Sequence, residues 1–182
     1  MDNLTETKLT SEKIYSGCIL DFYRDTVRLP NGGTAPRELS RHVGAVCIVP
    51  LLDDGRVIVE RQFRYPVNEV ITEIPAGKRD SRDEAPEAAA RRELREETGL
   101  RLTAITHVLP PAACTGGIGD ERTVCVFGTA EGTFRPSADP MEEIESAWYT
   151  RAQVRALHET DLFGSWALAY SWMFANGCLP GV

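Results

Sequence analysis

Apolar and polar positions are distributed differently along successive stretches of the chain. Across residues 8–42 the apolar positions Ile14, Cys18, Ile19, Phe22, Tyr23, Val27 and Leu29 come in short, interrupted groups, and Pro30-Asn31-Gly32-Gly33 supplies a turn. That spacing predicts antiparallel hairpins. Residues 44–52 are almost continuously apolar, Asp53-Asp54-Gly55 interrupts them, and residues 56–62 resume with Val57, Ile58 and Val59. Two such runs around a tight turn predict a pair of buried strands. Residues 70–74 read as another short strand, closed by Pro75-Ala76-Gly77. Further strands are expected at 104–109, 123–128 and 145–149, with a glycine-rich loop at 114–119.

Between Glu84 and Thr98 the composition turns to Ala, Glu, Arg and Leu, with Gly99 just beyond. Strong helix formers followed by a glycine predict a helix and its C-terminal stop. Residues 151–158 and 163–175 read as two closing helices, the second aromatic enough to face a core. Strands mixed with helices in 182 residues point to an α/β fold: a main domain at 43–182 and an N-terminal strand appendage at 1–42. A chain of this size buries roughly 70% of its unfolded surface, so it needs no staple. The five cysteines (Cys18, Cys47, Cys114, Cys125, Cys178) are scattered without a Cys-x-x-Cys pair and are expected to be buried free thiols.

Charge narrows the partners. Twenty Lys and Arg against 27 Asp and Glu leave a net charge of −7. This disfavours nucleic acid and anionic membrane surfaces, and an anionic substrate would need local arginines or a metal. No apolar run approaches the ~20 residues of a spanning helix, and Met1-Asp2-Asn3-Leu4-Thr5-Glu6 has neither a basic nor an apolar leader segment, so a cytoplasmic protein is expected.

Glu93, Glu96 and Glu97 stand at i, i+3 and i+4, on one face of the expected helix. Like charges so close repel. A solvated acidic face is one reading; Arg92 beside Glu93, Glu84 eight residues before Arg92, and Gly77 in the preceding loop favour the other, a site for a hard divalent cation such as Mg²⁺.

Gly77 and the run Glu84-x7-Arg92-Glu93-Leu94-x-Glu96-Glu97-x-Gly99-Leu100 together resemble the Nudix box of hydrolases acting on nucleoside diphosphates linked to another group. Gly77 lies one residue farther from Glu84 than the motif prescribes, and the extra residue is assigned to the loop. Upstream, Arg37-Glu38, His42-x-Gly44-Ala45-Val46, residues 59–66 and Glu73-Ile74-Pro75-Ala76-Gly77 resemble the ADP-ribose and nucleoside-diphosphate-sugar pyrophosphatase branch.

The resemblance implies an α/β/α sandwich with a mixed sheet and an enzyme that hydrolyses the pyrophosphate of ADP-ribose, GDP-mannose or a similar nucleotide sugar. It implies Mg²⁺, with Mn²⁺ as substitute, held by Glu93, Glu96, Glu97 and the carbonyl of Ala76, and oriented by Glu84 and Arg92. Arg64, Arg61, Arg37, Phe22 and Glu121 would contact substrate, with Tyr23 and Tyr15 as other candidates to stack the base. Glu142, then Glu143, would be the base, with Glu96 also catalytic. That branch carries a proline sixteen residues beyond the box, where this chain has Gly116, so a sugar nucleotide other than ADP-ribose competes. Because 1–42 holds too few strands for a core of its own, a homodimer is expected. A nucleotide-pool or dinucleotide pyrophosphatase, or a ligand-sensing domain without turnover, is the alternative.

Overall fold

The computed structural model describes residues 4–18 and 20–179; Ile19 and the first three residues, used in the reading above, lie outside them. In chain order the elements are β1 (Thr7–Ser16), β2 (Asp21–Arg28), β3 (Thr34–Arg41), β4 (Ala45–Leu51), β5 (Val57–Arg64), β6 (Glu69–Glu73) and β7 (Ala76–Lys78). There follow α1 (Pro86–Thr98), β8 (Arg101–Val108), β9 (Ala112–Ala113), β10 (Arg122–Glu131), β11 (Ile144–Tyr149), α2 (Arg151–Thr160), β12 (Leu162–Phe163) and α3 (Ser165–Ala175). Two compact units result, Met1–Gly44 with Ala112–Thr123, and Ala45–Pro111 with Val124–Val182.

In the first unit β1, β2 and β3 form an antiparallel sheet in that order. Its polar anchor is Asp25, buried in β2, which accepts from the Ser11 hydroxyl and from Arg41. Arg41 also reaches Asp120, whose carboxylate accepts the His42 N–H at 2.7 Å. All ten residues of β1 are exposed, apolar Leu9, Ile14 and Tyr15 included.

In the second unit the sheet runs β12-β6-β5-β4-β10-β8, with β11 beside β5 and β7 beside β4. It is mixed: β12 pairs parallel to β6, whereas β6 and β11 pair antiparallel to β5. Alternation along the central strands feeds two cores. Val46, Ile48, Ile58, Val124 and Val126 pack with Ala89, Ala90 and Leu94 of α1. Their neighbours Cys47, Val49, Val57, Val59 and Phe127 pack with Val154 of α2 and Tyr170 and Phe174 of α3. The near-continuous apolar runs are therefore strands covered on both faces, and the architecture is the expected α/β/α sandwich. Among the described residues no helix is long and apolar enough to cross a membrane.

Local differences from the expectation have simple causes. The helix begins at Pro86, not Glu84, because proline suits the first helical position, where no N–H is needed. Residues 76–78 extend beyond a turn into a short strand, pairing with Ala45–Cys47. Cys47 and Cys125 are buried as expected, but Cys18 and Cys178 are exposed and Cys114 is partly so, since they fall outside the core strands.

Gly128 in β10 sits at a register irregularity, where a Cβ would stand 2.1 Å from the Ala104 carbonyl oxygen. Gly128→Ala should therefore cost about 2–3 kcal/mol, because backbone rather than a flexible side chain must move. Chemical denaturation should show a lower midpoint with the slope unchanged.

Candidate active site

Arg92, one turn and a half into α1, gathers the polar groups at the front of the helix. Its guanidinium donates to Glu84 at 3.1 and 3.2 Å, to Glu93 at 2.8 Å, to Glu96 at 3.0 Å and to the Lys78 carbonyl at 3.1 Å. These pairings hold the Arg92 proton more tightly than usual, with Glu84 the largest influence and Glu93 and Glu96 adding to it. Glu84 in turn is held below the ordinary carboxylate range, mainly by Arg92 and then by the Asp80 N–H, which reaches it at 2.7 Å. The residue added between Gly77 and Glu84 is taken up in this turn, where Arg79 also donates to the Glu84 carbonyl.

Gly77 lies against the Glu93 carboxyl group. A Cβ there would stand 2.1 Å from the carboxyl carbon, so a side chain at this position would push the Glu93 tip out of its present place. Glu93 is largely buried, and burial raises its pKa while Arg92 opposes the rise. Glu97, one turn on, is buried and accepts the Ala76 N–H at 3.1 Å. Its pKa is pushed up to about 10, first by desolvation, then by the charges of Glu60 and Glu93.

Glu60 was not among the residues singled out from the sequence. It lies on β5, 3% exposed, accepting the Ser146 hydroxyl of β11 at 2.9 Å. Burial is the main cause that raises its pKa to about 7; Glu73 and Glu142 add to the rise and Arg64 opposes it. The signal was present: after Val57, Ile58 and Val59, Glu60 continues the inward alternation of Ile58 beneath α1. A carboxylate on that face of a core strand needs a reason.

Around this cluster stand the other expected residues of the same unit. Arg64 donates to Glu73 at 2.7 Å, and Arg61 lies 3.6 Å from Asp161, which itself accepts the Thr72 hydroxyl. The segment between β10 and β11 is tied to the end of α1, the Arg135 N–H bonding to the Thr98 carbonyl and the Ala138 N–H to that of Glu96. It delivers Glu142 and Glu143 to a cleft of about 520 Å³ that Arg61, Phe63 and Val70 also line. The charge of Glu142 is felt at Glu60, Glu93 and Glu97. Phe22, Arg37 and Glu121 belong to the first unit: Phe22 is exposed on β2, Arg37 on β3 is bound by Glu6, and Glu121 precedes β10, half-buried.

Donor chemistry favours a divalent cation here: buried and half-buried carboxylates raise one another's pKa, and Gly77 lets the Glu93 carboxylate lie close against the strand. Among the described residues no three such side chains converge as a ready-made metal site. Arg92 draws Glu93 and Glu96 to itself, so taking up an ion requires those carboxylates to turn.

Glu60 and Glu97 keep their protons more tightly in the folded chain than at the ordinary 4.5 of an unfolded one. The folded protein therefore binds more protons between about pH 5 and 9, and its stability should fall as pH rises through that window. In EDTA the melting temperature is expected to drop on the order of 5 °C between pH 5 and pH 8, and a divalent cation should restore more of it at pH 8. Calorimetry across that range checks this; a flat profile would mean that these carboxyls ionise without cost.

The NUDIX domain family matches residues 41–167. The chain is 43% identical over 108 residues to an ADP-ribose pyrophosphatase of Bacillus subtilis, covering 59% of this chain and 58% of that one. It is 35% identical over 165 residues to an ADP-ribose pyrophosphatase of Mycobacterium tuberculosis, covering 88% and 79% of the two. A crystal structure of an ADP compounds hydrolase shares the fold, with a TM-score of 0.77, 21% identity, and 96% and 97% of the two chains covered. With the box residues arranged around Arg92 and Gly77 and the family matched over most of its length, the chain belongs to the NUDIX domain family.

Proposed function

We propose that this protein is a Mg²⁺-dependent pyrophosphatase that hydrolyses a nucleoside diphosphate sugar to a nucleoside monophosphate and a sugar phosphate, with Mn²⁺ as a substitute cation. The observation that carries this is the set of buried Glu60 and Glu97 with half-buried Glu93 beside Gly77: the charges of Glu60 and Glu93 both bear on Glu97, and Arg92 compensates Glu93 but does not reach Glu97. The pyrophosphatases it resembles support the substrate class.

In this reading Glu93, Glu96, Glu97 and the Ala76 carbonyl hold the cation, while Arg92 and Glu84 set the orientation of the helix carboxylates. Bound there, a divalent cation neutralises the diphosphate and lowers the pKa of water. Arg61 and Arg64 grip the diphosphate or terminal sugar, guanidinium forks being suited to phosphate oxygens. Phe22 stacks the base, and Arg37 and Glu121 contribute further substrate contacts. Glu142, with Glu143 second, takes the proton of the water that attacks phosphorus, and the bond to the departing phosphate oxygen breaks.

Residues 1–42 act as a dimerisation appendage and 43–182 as the hydrolase domain. The exposure of every residue of β1, apolar Leu9, Ile14 and Tyr15 included, supports a two-fold homodimer, since an edge strand wet on both faces has little to hold it. The reading places the protein in the cytoplasm. Sedimentation at micromolar concentration should give a dimer, and a monomer there would contradict the assembly.

A substrate panel tests the function. ADP-ribose, ADP-glucose, GDP-mannose and UDP-glucose are assayed with Mg²⁺ by coupled phosphate release. Gly116 has no side chain to restrain its loop, and a Cβ there would meet the Ala113 methyl at 3.7 Å without a clash, so selectivity within roughly 10–200-fold is expected. Glu97→Gln should lower turnover about a thousandfold or more, the amide lacking the charge that holds the cation. Near-normal rates for that variant would remove Glu97 from the site. Preference for triphosphates or dinucleotides would move the enzyme to nucleotide-pool duty, and tight binding without turnover would make it a sensor.

A further inference from the structure

A second cleft, of about 550 Å³, opens at the C-terminal half of α1 and is lined by Arg91, Arg92, Arg95, Glu96, Gly99 and Arg135, among others. Four guanidinium-bearing residues face one carboxylate in a protein whose net charge is −7. Arg92 is fully engaged by Glu84, Glu93 and Glu96, and Arg91 donates to the Leu102 carbonyl. Arg95 and Arg135 are different: among the described residues neither guanidinium meets an acceptor.

The end of a helix attracts cations because its last carbonyls lack donors, which would be the plain reason for arginines here. That need is mostly met by other groups. The Arg95 carbonyl accepts the Gly99 N–H, the Glu96 carbonyl the Ala138 N–H and the Thr98 carbonyl the Arg135 N–H. Arg91 and Arg95 also stand at i and i+4, where like charges weaken a helix by a few tenths of a kcal/mol.

Geometry brings the cations together deliberately. The Arg135 stem lies against Gly99, where a Cβ would come within 2.9 Å of its Cβ and Cγ, and Gly99 sits at φ 76°, closed to most other residues. The segment from β10 to β11, bonded to the helix end on both sides of Pro136, fixes Arg135 over the last turn of α1. Two unengaged guanidinium forks at a bounded cleft offer several parallel N–H donors, the complement of a tetrahedral oxyanion.

We propose that this cleft is an anion site for a phosphoryl group, with Arg95 and Arg135 as its principal ligands and Arg91 at its rim. It adjoins the carboxylate cluster, sharing Arg92 and Glu96 with it, but Arg95 and Arg135 take no part in that cluster. The proposal does not depend on the substrate assigned above, and its test needs neither turnover nor metal.

Binding of inorganic phosphate and, separately, of adenosine monophosphate is measured by calorimetry in EDTA, on the wild type and on the double variant Arg95→Gln, Arg135→Gln. Saturable binding that weakens at least tenfold in the variant is expected. In the wild type, ¹⁵N side-chain resonances of Arg95 and Arg135 should shift along the same titration, a readout that stands even if the variant fails to fold. Equal affinity for the two probes identifies free phosphate as the ligand, and adenosine monophosphate binding over tenfold tighter identifies a nucleotide phosphate. Absence of saturable binding to the wild type, or arginine resonances that do not respond, overturns the proposal.

Discussion

The burial of carboxylates between α1 and β5 is the constraint on which the rest of this molecule turns. Glu97 hangs from the inner face of the helix, Glu60 rises from the strand beneath it, and Glu93 fills the gap over Gly77. Removing such groups from water is unfavourable unless charge or hydrogen bonds compensate. The compensation present is partial: one N–H from Ala76 for Glu97, one hydroxyl from Ser146 for Glu60, and Arg92 for Glu93. The raised pKa values of Glu60 and Glu97 follow from this incomplete compensation. A site of this kind stores affinity for cations at the expense of the stability of the metal-free fold.

The scaffold makes that arrangement possible through two well-filled apolar cores. Ile48, Ile58, Leu94 and Val126 clamp α1 to one face of the sheet, while Val59, Phe127, Val154 and Phe174 close the other. With hydrophobic burial on both faces, the sheet tolerates a charged residue on an otherwise apolar strand. Arg92 then works as an organiser. It joins the loop before α1, through Glu84 and the Lys78 carbonyl, to the helix carboxylates, so the loop and helix are set as one piece.

The segment between β10 and β11 links several roles. Its backbone completes the end of α1 through Arg135 and Ala138, and its acidic residues reach the cleft beside Arg61. Arg95 and Arg135 stand at this same junction.

Much of the fold was determined by sequence alone. Alternation and apolar runs placed the central strands, and helix-forming residues from Glu84 to Thr98 with Gly99 as a stop placed α1, whose first turn starts at Pro86, because these signals are local and depend on backbone geometry within a few residues. The spacing of Glu93, Glu96 and Glu97 put them on one helical face for the same reason. Glu60 could not be recognised that way: it belongs with Glu97 only because β5 passes under α1, a relation 37 positions apart along the chain. The engagement of Arg64 by Glu73 and of Arg61 by Asp161 was equally invisible, since strand pairing and the return of α2 decide it. Composition could count the arginines of α1, but only the path of the chain after β10, bonded to carbonyls that the helix leaves open, could set Arg135 beside Arg95. Local periodicity writes the elements; which charges meet is decided by packing, because electrostatic partners are chosen by distance in space and not by distance along the chain.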